Sequence, residues 1–140
     1  MRFLPPLKKG LKEALTELKN KGLKLAVVSN KRHEMTEAVI EKTLNGYFDV
    51  VTGQRPDYPV KPDPTLALKI IGELGVEPSE CVFIGDSGMD AKTSVNIGCA
   101  GIGVLWGFRT EDELLENGAK YIAKEPKDIV EIIEGINNGI

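Results

Sequence analysis

Hydrophobic residues recur along the chain at two different spacings, which predict helices alternating with strands. Leu7, Leu11, Ala14, Leu15 and Leu18 lie three or four residues apart, which predicts a helix that ends at residues 20–22. Similar patterns predict five more helices, over residues 34–44, 65–74, 89–97, 111–117 and 128–136.

Shorter apolar runs between these helices predict strands at residues 23–28, 48–52, 81–84, 100–105 and 121–122. The runs are continuous rather than alternating, which is typical of parallel strands that are buried on both faces. Strands alternating with helices favour the α/β class, with a Rossmann-like parallel sheet flanked by helices. No repeat, low-complexity tract or linker interrupts the pattern, so we predict that residues 1–140 form a single domain.

The composition is that of a soluble globular protein and argues against several classes of function. Hydrophobic residues make up 41% of the chain and charged residues 28%, and the net charge is −3. Charges of both signs are interspersed, so we expect no nucleic-acid partner. No apolar run reaches the roughly 18 residues of a membrane-spanning helix, and no secretory leader pattern is seen, so we expect a cytoplasmic protein without a membrane partner.

The cysteine and histidine content argues against two common kinds of site. Cys81 and Cys99 lie in separate apolar runs without CxxC spacing, which favours buried, reduced thiols over a disulfide. His33 is the only histidine, so neither a histidine-based zinc site nor a Ser-His-Asp triad is expected.

Two acids follow the predicted strand at residues 81–84, in the stretch GDSGMD. Asp86 and Asp90 are spaced to lie on one face of a loop that starts a helix, so both could point at one site. Carboxylates beside a strand end suit Mg²⁺, which prefers oxygen ligands. The alternative is that the Asp and Ser residues here only cap the helix, and that the acids complement its dipole.

Two further segments place polar groups beyond strand ends, where parallel sheets carry their chemistry. Ser29 and Asn30 directly follow the first predicted strand and could cradle a phosphate, although for Ser29 alone a helix cap is the better interpretation. Lys61 lies in the proline-rich loop 55–64, which suits a fixed cation near a phosphate, the alternative being a solvated surface lysine. In the same loop, Asp63 and Pro64 predict the N-cap and first position of the helix at 65–74.

The ordered set of these motifs resembles the haloacid dehalogenase-like (HAD) hydrolase superfamily. VVSNK at 27–31, the lysine of VKPDP and IGDSGMD at 84–90 are similar to its second, third and fourth motifs. With the Gly-Cys at 98–99 and the strand that leads into Gly107, they are most similar to the phosphoglycolate phosphatase branch, over residues 6–133.

The resemblance implies a Mg²⁺-dependent phosphatase acting on a small phosphorylated metabolite through an aspartyl-phosphate intermediate. It implies that Asp86 is a Mg²⁺ ligand, and that Asp90 binds the ion directly or through water, or orients Asp86. Ser29, with Asn30, would bind the phosphoryl oxygens, and Lys61 would neutralise charge on the nucleophile and the phosphate.

One departure from the family pattern is large, because these 140 residues contain no DxDxT. In the family this motif ends a central strand and supplies the nucleophile, and a cap domain follows it. The resemblance therefore implies a partial HAD-like core that lacks the nucleophile strand, between the strands ending at Ser29 and Asp86. Those two strands are expected either to pair or to leave open edges that recruit a second copy into a homodimer.

Three functions stay open at this stage. The first is a phosphomonoester hydrolase whose residues here bind metal and phosphate but are inactive alone. The second is a non-catalytic binding or oligomerising module, or half of a split phosphatase. The third, a receiver-like phospho-acceptor domain, is disfavoured because its acids come first in the chain, whereas here Ser29 precedes Asp86 and Asp90.

Overall fold

The computed structural model describes residues 8–137, in which helices alternate with parallel strands. The helices are α1 (Leu11–Asn20), α2 (His33–Leu44), α3 (Thr65–Glu73), α4 (Gly88–Ile97), α5 (Glu111–Glu116) and α6 (Pro126–Asn137). The strands are β1 (Ala26–Arg32), β2 (Val50–Gln54), β3 (Val82–Gly85), β4 (Ala100–Val104) and β5 (Tyr121–Ala123). A short 3₁₀ turn, Pro78–Glu80, precedes β3.

The predicted order and type of these elements are confirmed, and so is the α/β fold class. Leu7, which the pattern placed at the start of the first helix, lies outside the described residues. Among residues 8–137, no helix is long and apolar enough to cross a membrane.

The prediction for the end of the first strand was wrong in detail. We expected Ser29 and Asn30 to follow the strand, but β1 continues to Arg32. Regular pairing with β2 stops at Val28, and the register is irregular from there to Arg32. The two polar residues therefore lie in a distorted extension of the strand, still at its carboxyl end.

The start of α3 also differs from the prediction. Asp63 was expected to be the N-cap, but the residue in that position is Pro64, which has no side-chain acceptor to offer. The Asp63 carboxylate nonetheless accepts a hydrogen bond of 2.9 Å from the Thr65 amide, so it satisfies a free N–H of the first turn from one residue further out.

The strands form two separate sheets within residues 8–137. Strand β1 pairs in parallel with β2, and β3, β4 and β5 form a parallel three-stranded sheet in that order. Strands β1 and β3 are not paired with each other in the described part of the chain. We expected these two strands either to pair or to leave open edges, and in the structure they are unpaired.

Helix α1 packs against both halves of the molecule. Its Leu11 and Leu15 belong to an apolar cluster with Val27 of β1 and residues of α2. Its Ala14 and Leu18 belong to a second cluster with strands β4 and β5 and helix α6. Burial of these side chains in two cores holds the two sheets side by side without ladder hydrogen bonds between them.

The two faces of β4 contact different helices because side chains alternate along a strand. Ile102 and Val104 face the cluster with α1 and α6. On the other face, a Cβ on Gly101 would lie 2.3 Å from Ser94 Oγ, and one on Gly103 would lie 2.8 Å from a methyl group of Leu114. The Gly-x-Gly pattern therefore serves close helix packing by α4 and α5.

Candidate active site

Lys61 lies between the carboxyl ends of β1 and β3 and contacts both. Its side chain is 3% exposed. Its Nζ donates to the Val28 carbonyl at 3.2 Å and to Asp90 Oδ1 at 3.0 Å, and lies 5.6 Å from the centroid of the Phe83 ring. The interpretation of Lys61 as a solvated surface lysine is therefore wrong, because its cation is enclosed by protein groups.

The side chain of Asn30 fixes the backbone of Lys61. Asn30 Oδ1 accepts from the Lys61 amide at 2.9 Å, and its Nδ2 donates to the Lys61 carbonyl at 3.4 Å. The Lys61–Pro62 peptide bond is cis. The Asn30 side chain thus pairs with a loop peptide much as a neighbouring strand would, and it aims Lys61 at the site.

Both carboxylate oxygens of Asp90 are engaged by the protein. Oδ1 accepts from Lys61, while Oδ2 accepts from the Ser87 hydroxyl at 2.9 Å and the Asp86 amide at 3.2 Å. Asp90 is 2% exposed, and a buried carboxylate of this kind requires such partners. Of the roles that the sequence left open for Asp90, this geometry favours orienting Asp86.

Asp86 is buried at the end of β3 and is packed against a glycine. A Cβ on Gly107 would lie 2.4 Å from Asp86 Oδ2 and 2.8 Å from its Cβ, so Gly107 is needed for this close approach. The charge of Asp86 also acts on Lys61, where it favours the protonated amine.

The electrostatics of Lys61 reflect two opposing effects. Burial lowers the pKa of Lys61, because the charged form loses its hydration. The adjacent carboxylate of Asp90, helped by Asp86, opposes that shift by favouring the cation. The lysine is thus a cation whose charge depends on the two acids beside it.

Ser29 is buried next to this group. It is 4% exposed, and its Oγ accepts a hydrogen bond from the Lys31 amide at 3.1 Å. It follows Val28, whose carbonyl binds Lys61, so all five predicted site residues lie around the ends of β1 and β3.

A family model described as a haloacid dehalogenase-like hydrolase matches residues 3–98. The chain belongs to this family of hydrolases. The match includes all five predicted site residues, and the family resemblance predicted from the motifs is confirmed.

Relatives within the family are named as phosphatases. The chain is 33% identical to a phosphoglycolate phosphatase of Aquifex aeolicus over 86% of this chain and 55% of that protein. It is 31% identical to the PpaX protein of Clostridium perfringens, described as a candidate pyrophosphatase, over 89% of this chain and 58% of the other.

A solved structure gives the same picture. A protein of Lactobacillus delbrueckii subsp. bulgaricus, described as a candidate phosphoglycolate phosphatase, is 36% identical with a TM-score of 0.85, over 89% of this chain and 52% of the other. This chain therefore spans between half and three fifths of the length of the relatives named here.

Some contacts of the site were not predicted from the sequence. Gly107, in a loop after β4, was part of the family resemblance, but its close packing against Asp86 was not predicted. Glu113 accepts a hydrogen bond of 2.9 Å from the Gly88 amide at the start of α4, from a helix 25 residues away in the chain. The Nε1 of Trp106 is buried and has no hydrogen-bond partner among the described residues.

The family's metal can be tested against these donors. Asp86 is an oxygen ligand of the type that Mg²⁺ prefers, held at a strand end by Gly107 and Asp90. Among residues 8–137, however, no three histidine, cysteine or acidic side chains are grouped as metal ligands. The residues fit Mg²⁺ in chemistry: Asp86 would be the ligand, and Asp90 would lie behind it.

Proposed function

We propose that the chain is part of a Mg²⁺-dependent phosphomonoester hydrolase similar to the phosphoglycolate phosphatases. One observation carries this proposal: a buried lysine is paired with a buried aspartate between the ends of two parallel strands. Burying two such charges is costly, and the position at the carboxyl edge of the sheet is where ligands bind in α/β folds.

Each site residue has a role in this proposal. Lys61 neutralises charge on the transferring phosphoryl group, and Asn30 holds the lysine in place through its backbone. Ser29 contributes a hydroxyl to the phosphoryl oxygens. Phosphoryl transfer depends mainly on such positioning and charge neutralisation, so these groups are sufficient to bind but not to attack the substrate.

A bound Mg²⁺ would supply further positive charge for the phosphoryl oxygens. In this proposal Asp86 ligates the ion, and Asp90 keeps Asp86 oriented through the Asp86 amide. Mg²⁺ prefers six oxygen ligands, and these residues supply few of them, so its affinity for this chain alone is expected to be weak.

The nucleophile is the part that these residues do not supply, since no DxDxT occurs in the sequence. We therefore expect negligible Mg²⁺-dependent hydrolysis of p-nitrophenyl phosphate or phosphoglycolate by the 140-residue chain, measured as phosphate release. Strong turnover that Asp86→Asn abolishes would contradict the proposal, because it would require another nucleophile.

The complementary experiment supplies the nucleophile from a second polypeptide. We propose co-expression with the remaining part of the Aquifex aeolicus relative, which this chain does not match. Mg²⁺-dependent phosphate release by the mixture, lost with Lys61→Met, is the result expected for a split phosphatase. An association without activity would favour the second candidate.

That second candidate is a non-catalytic binding or oligomerising module. The observation that favours it is the unpaired state of β1 and β3 among the described residues, since open strand edges recruit other chains. The partner proposed for the first candidate is a small phosphorylated metabolite, and for the second it is another copy of the chain.

A further inference from the structure

Two cysteines lie side by side at the end of the sheet opposite the candidate active site. Strands β3 and β4 pair in parallel with Val82 opposite Ala100. Cys81 and Cys99 each come one residue earlier, so the same register places them opposite each other at the amino ends of the strands. Paired residues of neighbouring parallel strands point to the same face, and the strands are about 4.8 Å apart.

The contacts of the two thiols agree with this placement. The Phe83 backbone of β3 lies within hydrogen-bond reach of the thiol of Cys99, the residue just before β4. Cys81 Sγ donates to the Glu77 carbonyl at 3.3 Å, and both cysteines are partly accessible. Burial, with a contribution from the charge of Cys81, raises the pKa of Cys99 to about 11.

We propose that Cys81 and Cys99 form a redox-modification site, in which they join reversibly in a disulfide across β3 and β4. The expected strand separation falls within the range of Cα distances that a disulfide can bridge, about 4.4 to 6.8 Å. The preference for reduced thiols drawn from the sequence describes the resting state, and the disulfide is the oxidised state of the same pair.

The proposed oxidant is a small disulfide such as oxidised glutathione. The Cys81 thiol loses a proton and its thiolate attacks one sulfur of the oxidant, which forms a mixed disulfide and releases one thiolate. The Cys99 thiol then loses its proton and attacks the Cys81 sulfur, which forms the Cys81–Cys99 bond and releases the second thiolate. The oxidant gains two electrons, and the protein loses two electrons and two protons.

Cys81 is assigned the first attack because Cys99 is the more deeply buried thiol. With a pKa of about 11, only about one Cys99 in ten thousand is a thiolate at neutral pH. The mixed disulfide on Cys81 brings an electrophilic sulfur next to Cys99, so the second step proceeds within the molecule.

The bond is expected to be labile rather than a permanent crosslink. Cβ atoms in a disulfide are about 3.8 Å apart, which is closer than neighbouring parallel strands. Cys81 follows a 3₁₀ turn, and Cys99 follows Gly98, whose φ of 89° is left-handed, so both lie just outside the regular ladder and can approach. Strained disulfides have more oxidising potentials and are readily reduced.

The segment that this bond would close is the one that carries the acids. Between Cys81 and Cys99 lie the whole of β3 and α4, and therefore Asp86 and Asp90. Oxidation would tie the two ends of this segment together and restrict its local opening. The redox state would therefore affect the mobility of Asp86 and Asp90 from the opposite end of the sheet.

The test is oxidation of the purified 140-residue chain with excess oxidised glutathione at alkaline pH, followed by blocking with N-ethylmaleimide and intact-mass analysis. We expect a monomer that has lost two hydrogens and accepts no maleimide, with Cys81 and Cys99 joined in the peptide map. Dithiothreitol should restore two maleimide adducts. A persistent glutathione adduct, a disulfide-linked dimer or two unreacted thiols in the wild type would each overturn the proposal.

Two single variants serve as matched controls. Cys99→Ser should stop at a glutathione adduct on Cys81, and Cys81→Ser should form its adduct on Cys99 at least several-fold more slowly. Equal adduct rates would overturn the assigned order of attack. Hydrogen exchange of the oxidised wild type should be slower in β3 and α4, and unchanged exchange there would overturn the effect on the acidic segment.

Discussion

Lys61 and Asp90 are a pair of opposite charges, and their contribution to stability depends on both being present. Each is almost fully buried, and they are 3.0 Å apart. Removing one member of a buried pair leaves the other as an uncompensated charge, which costs more than removing both. The same arrangement keeps a cation available at a strand end, which is what a phosphate ligand requires.

We predict that Lys61→Met lowers the free energy of unfolding by about 3–5 kcal/mol, because it leaves Asp90 buried without its cation. Urea denaturation followed by circular dichroism measures the effect. Lys92→Met, which removes an exposed lysine of α4, is the control and should change stability by less than about 0.5 kcal/mol.

The double variant Lys61→Met with Asp90→Asn distinguishes the cost of an unpaired buried charge from the cost of lost packing. It should be more stable than Lys61→Met alone, since no unpaired charge remains. If the double variant were less stable than the single one, the buried charge would not be the cause of the loss.

Gly107 and Gly72 provide a second test at the level of single residues. Gly107→Ala places a methyl group 2.4 Å from Asp86 Oδ2, so the carboxylate must move, and we expect a loss of about 1–3 kcal/mol in urea denaturation. Gly72→Ala, in α3, meets no atom within 4 Å and should gain up to about 1 kcal/mol. Equal effects of the two substitutions would contradict the close packing on Asp86.

Cys99 makes stability depend on pH in the alkaline range. Its pKa is raised from 9.0 to about 11 in the folded chain, so the folded state holds the thiol proton more tightly than the unfolded state. This contribution is complete below pH 9 and is lost as the pH rises from 9 to about 11. Under reducing conditions, the Tm of Cys99→Ala should therefore fall less between pH 9 and about pH 11 than the Tm of the wild type. Equal decreases in Tm would contradict this contribution of Cys99.

The five candidate site residues could be picked out from the sequence because each lies at or beyond the end of a strand and belongs to a short motif. The role of Asn30 could not, since its side chain acts on Lys61, 31 residues later in the chain. The same holds for the engaged oxygens of Asp90. Periodicity identifies which end of a strand a residue occupies, but not which hydrogen bonds its side chain accepts.

At the scale of elements, the turn from β3 into α4 is the best-defined part of the site. Ser87 is the N-cap of α4, and its Oγ accepts from the Asp90 amide while donating to Asp90 Oδ2. The cap and the acid therefore stabilise each other, and the expectation that GDSGMD caps a helix is correct alongside its proposed metal role.

We predict that Ser87→Ala lowers the free energy of unfolding by about 2 kcal/mol, since it removes a cap and one partner of a buried carboxylate. Thr110→Ala is the matched control, because Thr110 caps α5 by accepting from Glu113 without serving a buried acid, and it should cost about 1 kcal/mol. Thermal or urea melts compare the two, and a smaller loss for Ser87→Ala would contradict the shared role.

The boundaries of elements were less predictable than their existence. Apolar runs located all five strands, yet β1 begins at Ala26 instead of residue 23 and extends through polar residues to Arg32. Pairing with β2 sets these limits, and pairing depends on the partner strand rather than on the local pattern.

At the scale of the molecule, the unpaired strands β1 and β3 are the feature that bears on association. We predict that the chain associates through these edges, as an exchanged homodimer, and that sedimentation velocity shows a sedimentation coefficient that rises with concentration. A strictly monomeric species that unfolds cooperatively would contradict the exchanged dimer and leave an altered monomer.

The sequence alone could indicate that no strand ending in DxDxT lies within these 140 residues, but not how the other strands would be arranged. Both a closed sheet and two separate sheets agree with the same apolar runs. Helix α1 decides between them here by placing Leu15 in one core and Leu18 in the other, a division that no local pattern reveals.

The missing hydrogen-bond ladder between β1 and β3 also affects how the site residues could separate from one another. Lys61 is bound to β1 through Asn30, whereas Asp86 directly follows β3 and Asp90 lies in α4. The two halves share no ladder hydrogen bonds among the described residues, so their relative position depends on side-chain packing and on the Lys61–Asp90 pair. A small hinge motion between intact halves would therefore separate the lysine from the acids and disassemble the site without unfolding the protein.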